Sequence, residues 1–225
     1  LSLFAEQSIF NVLNIDVYFN ISVMGISKFV NLIFDKNNLK SEQCTNLESK
    51  LLVLRAIQNT CTNFKCFSKN YTLGFVDEMY AKIEQIKSSN CDINSLIDEN
   101  ASIGTKLKFE DIKLIFCEYE KLRAGKLDSG DLLSVFNQIC NEVDYLKKCN
   151  VFFMGFDSLT KQGIEVLKNV SKFANFTQIS IVAPYNQSNF NIYDQSFLDS
   201  VINIATQEKI ECETKWLNLP FNNND

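Results

Sequence analysis

Val151-Phe152-Phe153-Met154 is a continuous apolar run held between Asn150 and Gly155. A strand covered on one face alternates apolar and polar residues, whereas a short unbroken run suits a strand covered on both faces, as in a parallel sheet. Downstream, Ile164, Leu167 and Val170 recur at helical spacing, and Ile179-Ser180-Ile181-Val182-Ala183 reads as a second buried strand. Strand, helix and strand with short links form a right-handed crossover, which predicts Phe153 and Ile181 on neighbouring parallel strands. Pro184 to Asn191 reads as loop, and Phe197, Val201 and Ile204 begin a last helix.

Working back from that unit, Glu6 to Leu13 reads as the end of a helix with Phe4, Ile9, Val12 and Leu13 on its apolar face. Tyr18 to Met24 alternates like a strand, with Ile21 and Val23 inward. Gly25 breaks it, and Ser27 is placed to cap a short helix carrying Phe29, Val30 and Ile33. From Asp35 the pattern turns helical. Thr45-Asn46-Leu47-Glu48 has the form of a capping box, followed by Leu47, Leu51, Leu54 and Gln58 at helical spacing. Further stripes are Phe75, Met79, Ile83 and Ile86, then Phe109, Ile112, Phe116 and Tyr119. Asp128-Ser129 caps a helix with Leu132, Leu133, Phe136, Ile139 and Val143. Such stripes read as core rather than as cofactor contacts. The fold class is therefore α/β: a discontinuous domain of residues 1–34 plus 149–225, with an all-α subdomain of residues 35–148 inserted into it.

Composition narrows the chemistry. Hydrophobic residues make up 46% and charged residues 22% of the 225, a globular balance rather than a disordered one. No apolar run approaches the roughly 20 residues that span a bilayer, so no membrane partner is expected. Leu1-Ser2-Leu3-Phe4-Ala5-Glu6 lacks the basic flank of a signal peptide, and without an initiator Met the chain is expected to begin inside a longer protein. The eight cysteines are irregularly spaced with no CxxC, and read as incidental thiols in a cytoplasmic setting. There is no histidine, which removes Ser–His and Cys–His nucleophile pairs and any histidine base. No GxxxxGK[ST] or GxGxxG occurs, so no cofactor is expected. A net charge of −5 does not point to an autonomous nucleic-acid binder, although a local basic patch is compatible with it. The paired carboxylates Asp98-Glu99 and Glu110-Asp111 read as surface, and Lys161, Lys168 and Lys172, interrupted by Glu165, as a solvated helix face.

Two segments carry a family resemblance. Leu127-Asp128-Ser129-Gly130-Asp131-Leu132-Leu133 resembles the LDFDDLL segment of UvrD-like helicases. At the matching distance, Val151 to Thr160 resembles the "hhhDGFxxFTPQE" segment of the AddB (RexB) family, one half of the AddAB (RexAB) helicase–nuclease. Leu167 to Val182 is similar to that family's following helix and strand, Val23 to Phe29 to its "VxTFSRL" element, and Gly74-Phe75 with Lys87 to its "GF…K" helix. The resemblance implies an incomplete first helicase domain with a parallel sheet like that of P-loop NTPases, interrupted by an inserted helical subdomain. It implies a role in double-strand break repair alongside an AddA-like motor and nuclease partner, with DNA as substrate.

At the matched positions the chemistry differs from that of an active motor. There the buried strand ends in Asp-Glu, the Asp holding Mg²⁺ and the Glu orienting the attacking water. Met154 and Gly155 occupy those places. A thioether is no ligand for a hard cation, and glycine offers no base. The resemblance thus implies scaffolding and DNA contact rather than catalysis. Ser27 and Lys28, at the strand-to-helix turn, match the DNA-facing element. Ser27 and the helix N-terminal amides suit a phosphate and Lys28 pairs with it, while the bland reading is an ordinary helix cap. Ile26 stands for the family's Phe and Lys28 for its Arg, which removes stacking and bidentate geometry. Phe156 is a further match, with core packing as its other reading. A reading from a different class is a helical protein–protein interaction module on a degenerate nucleotide-binding sheet, with no DNA role.

Overall fold

A computed structural model describes residues 2–14, 20–39, 42–97, 100–181 and 196–215. Its helices are α1 (Ser2–Leu13), α2 (Ile26–Lys36), α3 (Asn46–Thr60), α4 (Leu73–Ser88), α5 (Ile103–Arg123), α6 (Ser129–Ile139), α7 (Lys161–Phe173) and α8 (Ser196–Gln207). The strands are β1 (Asn150–Phe153) and β2 (Phe176–Ile179). The structure is thus mostly helical, with a small parallel sheet.

The parallel pair forms where the apolar run predicts it. Asn150 aligns with Phe176 and Phe153 with Ile179, and the Ser180 amide donates to the Phe153 carbonyl at 2.9 Å. The second strand starts earlier than expected, so Ile181 lies two residues past its end; Val182 and Ala183 fall outside the described residues, as does the expected loop at Pro184 to Asn191. The register is set where α7 stops. Ala174 is already extended, the Asn175 amide donates to the Cys149 carbonyl at 3.0 Å, and Asn175 Nδ2 donates to Asn150 Oδ1 at 2.8 Å.

Among the described residues, the sheet is covered on one side only. Val151, Phe153 and Ile179 join the core on the α7 side, but Phe152 is 61% and Met154 58% exposed, and the Phe152 and Phe176 rings meet at 5.9 Å on the open side. The expected strand at Tyr18 to Met24 is also corrected. Its described part, residues 20–24, is irregular and belongs to no sheet, the only strand described beside β1 being β2, while Tyr18 and Phe19 lie outside the described residues. Val12, expected on the inner face of α1, is exposed.

Two cores hold the described residues together. In the first, Val30, Ile33 and Phe34 of α2 and Leu132 and Phe136 of α6 meet Phe153 of β1. Val166, Leu167 and Val170 of α7 and Phe197 and Ile204 of α8 complete it. Phe29 meets Phe136 edge-on at 6.2 Å. α6, within the span read as helical insert, therefore packs against α2 and α7.

The second core joins α3, α4 and α5 through Val53, Ala56, Ile57, Val76, Met79, Tyr80, Ile83, Ile115 and Tyr119. Here α3 departs from the expected face: Leu47 is 68% and Leu51 55% exposed. The capping box forms as read, with Thr45 Oγ1 accepting from the Glu48 amide and Glu48 accepting from the Thr45 amide at 2.7 Å. The face is chosen by α5, against which the slim positions Ser49, Val53 and Ala56 allow close approach.

Among the described residues, charged groups are buried at two places. Asp111 is not a surface carboxylate. It is fully buried and accepts the consecutive amides of Lys65, Cys66 and Phe67, each at 2.8 Å, pinning the link between α3 and α4. Its neighbour Glu110 does have a basic partner, Lys65, at 2.7 Å. Asp98 and Glu99 lie outside the described residues. At the second place, Lys87 and Asp128 keep only 7% and 4% of their side chains exposed. Lys87 Nζ meets Asp128 at 2.6 Å, Glu120 at 2.9 Å and Asp131 at 3.1 Å. Tyr119 donates to Asp128 at 2.7 Å, and Arg123 pairs with Glu120 and Asp131.

Candidate nucleic-acid interface

The turn before α2 is built by backbone rather than by a side-chain cap. Gly25, not Ser27, is the N-cap, with φ −74° and ψ 162°, and no side chain caps the helix there. The expectation that Ser27 caps α2 is thereby corrected: Ser27 already sits in the first helical turn. Gly25 contributes a carbonyl, which accepts from the Phe29 amide at 3.0 Å, but it has no side-chain oxygen to offer the amides before it. The amides of Ile26, Ser27 and Lys28 precede that first helical bond and form the positive end of the helix dipole. Ser27 and Lys28 are both exposed, while Ile26 and Phe29 turn into the first core. The turn therefore presents a hydroxyl, an ammonium and helix-start amides on one exposed end, a chemistry that suits a phosphate oxygen.

Phe156 is placed differently. Its ring centroid lies 6.2 Å from that of Phe153, and it packs half-buried against the first core. Met154 and Gly155 follow β1 directly. Met154 is exposed, and Gly155 has φ 75°, a left-handed conformation that favours glycine. A glutamate there would be strained.

The lysine face of α7 is paired at two of its three positions with carboxylates. Lys168 contacts Glu165 and, at 3.8 Å, Glu208; Lys172 meets Glu208 at 2.9 Å. The hydrogen bond from Lys172 and its charge hold the Glu208 carboxyl below its ordinary range. Among the described residues, no group of three or more Cys, Asp or Glu is disposed to hold a metal ion. The cysteines are free thiols, Cys140 buried and Cys66, Cys117 and Cys212 exposed; burial pushes the Cys140 and Cys149 thiols up. No described helix is long and apolar enough to cross a membrane.

Sequence reading placed a helix cap at Asp128 but missed the ion pairs that Leu127 to Leu133 makes. Asp128 Oδ1 accepts the Gly130 and Asp131 amides at 2.9 and 3.1 Å, and Asp131 accepts the Asp128 amide in return, so the motif is a capping box. Its carboxylates then take Lys87 and Arg123 from other helices. Burial alone would raise the Asp128 carboxyl. The hydrogen bond and charge of Lys87 outweigh it, and the carboxyl is held below its usual range. For Lys87 burial works downward, and the hydrogen bonds to Asp128 and Glu120 carry the ammonium upward. The available signal was Lys87, already marked by resemblance; its partners 41 and 44 positions away were not readable.

A mostly helical α/β chain whose first parallel strand ends without the acidic pair of a motor is the class these features define. The family described as "ADDB, N-terminal" matches residues 1–224, and the chain belongs to it. It is similar to AddB-type proteins of Staphylococcus aureus strains JH9, N315 and Newman, each named as the B subunit of an ATP-dependent helicase/deoxyribonuclease. Each is 23% identical over 231 aligned residues, covering 98% of this chain and 20% of the relative. The chain thus spans about a fifth of the length of these relatives.

Proposed function

We propose that this chain is the motor-inactive, helicase-like N-terminal part of one component of an ATP-dependent helicase/exonuclease acting in double-strand break repair. It serves as scaffold and DNA contact in the cytoplasm, alongside an AddA-like motor and nuclease partner. The observation that carries the reading is the family match over residues 1–224, combined with Met154 and Gly155 after β1. On this reading residues 1–34 plus 149–225 correspond to an incomplete first helicase domain, with residues 35–148 as its helical insert. The open face of β1 and β2, bearing Phe152 and Phe176, fits a parallel sheet that is covered in the whole protein.

DNA contact is assigned to the start of α2, with Ser27 and the helix-start amides receiving a phosphate and Lys28 pairing with it. Phe156 contributes by shaping the neighbouring core surface. Anisotropy with single-stranded DNA at low salt tests this. Binding should be weak and fall steeply as salt rises, since few cations take part. Lys28→Ala should weaken it, and unchanged affinity in that variant would place the contact elsewhere. The second reading, a protein-interaction module without a DNA role, draws on exposed Leu47 and Leu51, which present apolar surface on α3. No DNA binding at any salt concentration would favour it.

A further inference from the structure

α3 is apolar on two sides. Ser49, Val53, Ala56, Ile57 and Thr60 are buried against α4 and α5. At about 100° per residue, these positions centre on the side of the helix opposite Leu51, which therefore points away from the second core. Leu47, Leu51, Leu54 and Gln58 follow one another at spacings of four, three and four, the seam of a two-helix coiled coil. Leu47, Leu51 and Gln58 are exposed and Leu54 is half-buried, and exposed Glu48 and Arg55 border the seam on one flank. Lys50 is taken by Asp77 at 2.7 Å on the α4 side and Asn59 by Glu118 at 2.8 Å on the α5 side. The arc between those two contacts is open.

The seam is complementary to itself. Two α3 helices laid antiparallel about a twofold axis bring Leu51 of one against Leu54 of the other and Leu47 against Gln58, and the same contacts repeat in reverse. In that register Glu48 falls beside Arg55 of the second copy, and Arg55 beside its Glu48, so both flanks carry opposite charges at once. The groups are available for it. Glu48 accepts the Thr45 amide through Oε2, which leaves Oε1 to an incoming guanidinium. Arg55 meets Gln58 Oε1 at 3.5 Å, a long contact for a hydrogen bond. One helix per copy is a smaller contact than the roughly 1,200 Å² of a standard interface, so this association is reversible and needs concentrated protein.

We infer that the outer face of α3 docks a second copy of this chain, antiparallel, on the Leu47–Leu51–Leu54 seam with two symmetric Glu48–Arg55 pairs. The contact uses neither α2 nor its phosphate-facing turn, so it stands or falls separately from the DNA contact assigned there. Leucines that were merely surplus apolar surface would behave otherwise: the mass in solution would not depend on Leu51, and the sign of the flanking charges would not matter.

Sedimentation equilibrium of the full chain, from micromolar to millimolar concentration, separates these cases. A reducing agent is present throughout, because Cys66, Cys117 and Cys212 are exposed thiols. The parent should pass from the mass of one chain to that of two as concentration rises, and Leu51→Gln should stay at one. Glu48→Lys and Arg55→Glu should each weaken association by roughly tenfold, since each sets like charges together at both flanks. Thr45 Oγ1 still accepts the amide of position 48 in the first of these, so the helix keeps that half of its cap. An equimolar mixture of the two charge variants should recover the association that each has lost, because opposite charges then meet across the axis. A parent that stays monomeric at millimolar concentration would overturn the inference and leave the seam to a different polypeptide. Dimerisation unchanged by Leu51→Gln would overturn it too, as would a mixture that associates no better than either variant alone.

Discussion

Replacing Asp111 by Asn changes one oxygen into an amino group at a site where three backbone amides converge. One carboxylate oxygen accepts from Lys65 and the other from Cys66 and Phe67, all at 2.8 Å. The best asparagine rotamer keeps its carbonyl on the Cys66 and Phe67 amides and turns its NH2 toward the Lys65 amide, donor against donor. One bond to a charged acceptor, worth about 1.5–3 kcal/mol, is lost. The other two fall from charged to neutral strength, about 1 kcal/mol each. The sum is about 3.5–5 kcal/mol, and the loss is local because the side chain reaches only the link between α3 and α4. Urea unfolding of parent and variant, followed by far-ultraviolet circular dichroism, reads the stability. Exchange at residues 64–71 reads its location. A loss under about 1 kcal/mol would show that the three amides find water as readily as Asp111, and the reasoning would fail.

Other outcomes follow from the same geometry. For Asp128, whose folded carboxyl is held below the ordinary 3.8, the stabilisation is fully present above that value and disappears as pH falls through the lower folded one. Asp128→Asn should therefore flatten the acid limb of a stability–pH curve, and an identical acid limb would contradict the placement of Asp128 in the network. Lys87, raised above 10.5, contributes below that value and loses its contribution as pH rises through the higher folded one, so Lys87→Met should flatten the alkaline limb. On α3, Leu51→Gln should change stability by no more than about 0.5 kcal/mol, whereas Ile57→Ala should cost about 2–5 kcal/mol in chemical denaturation. Equal effects at the two positions would mean that the face of α3 is misassigned.

Local signals were legible in the sequence. The capping box at Thr45 and Glu48 formed as read, because both partners lie within one turn and need nothing from the rest of the chain. The parallel pairing was legible too, since an apolar run, a helical stripe and a second run leave little choice of topology. Its register was not. Phe176-Thr177-Gln178-Ile179 alternates, and the more apolar Ile179 to Ala183 outweighs it in any reading by hydrophobicity; the tethers at Cys149 and Asn150 decide the matter. The inner face of α3 was hidden because leucines mark apolarity but not which neighbour arrives, and α5 needs the smaller Ser49 and Ala56 side. Asp111 and Lys87 were beyond reach for a similar reason. The amides that Asp111 accepts and the Asp128 that meets Lys87 lie more than 40 positions away, and a charged residue gives no local sign that it will be buried. At the candidate interface, the sequence marked the turn at Gly25 before α2. That Gly25 rather than Ser27 caps the helix was not legible, because either residue is acceptable at an N-cap.

Phosphate release bears most directly on whether this strand belongs to a silent motor. The assay takes the purified chain, with ATP, Mg²⁺ and single-stranded DNA present, alongside Met154→Asp/Gly155→Glu. No phosphate-cradling glycine loop occurs in these 225 residues, and Gly155, at φ 75°, resists a side chain by about 1–2 kcal/mol. Both proteins should therefore stay at the level of the blank, the double variant included, since nothing positions the triphosphate for the restored acids. Turnover in the parent chain that survives further purification and is abolished by Met154→Ala would contradict the motor-inactive reading of this strand.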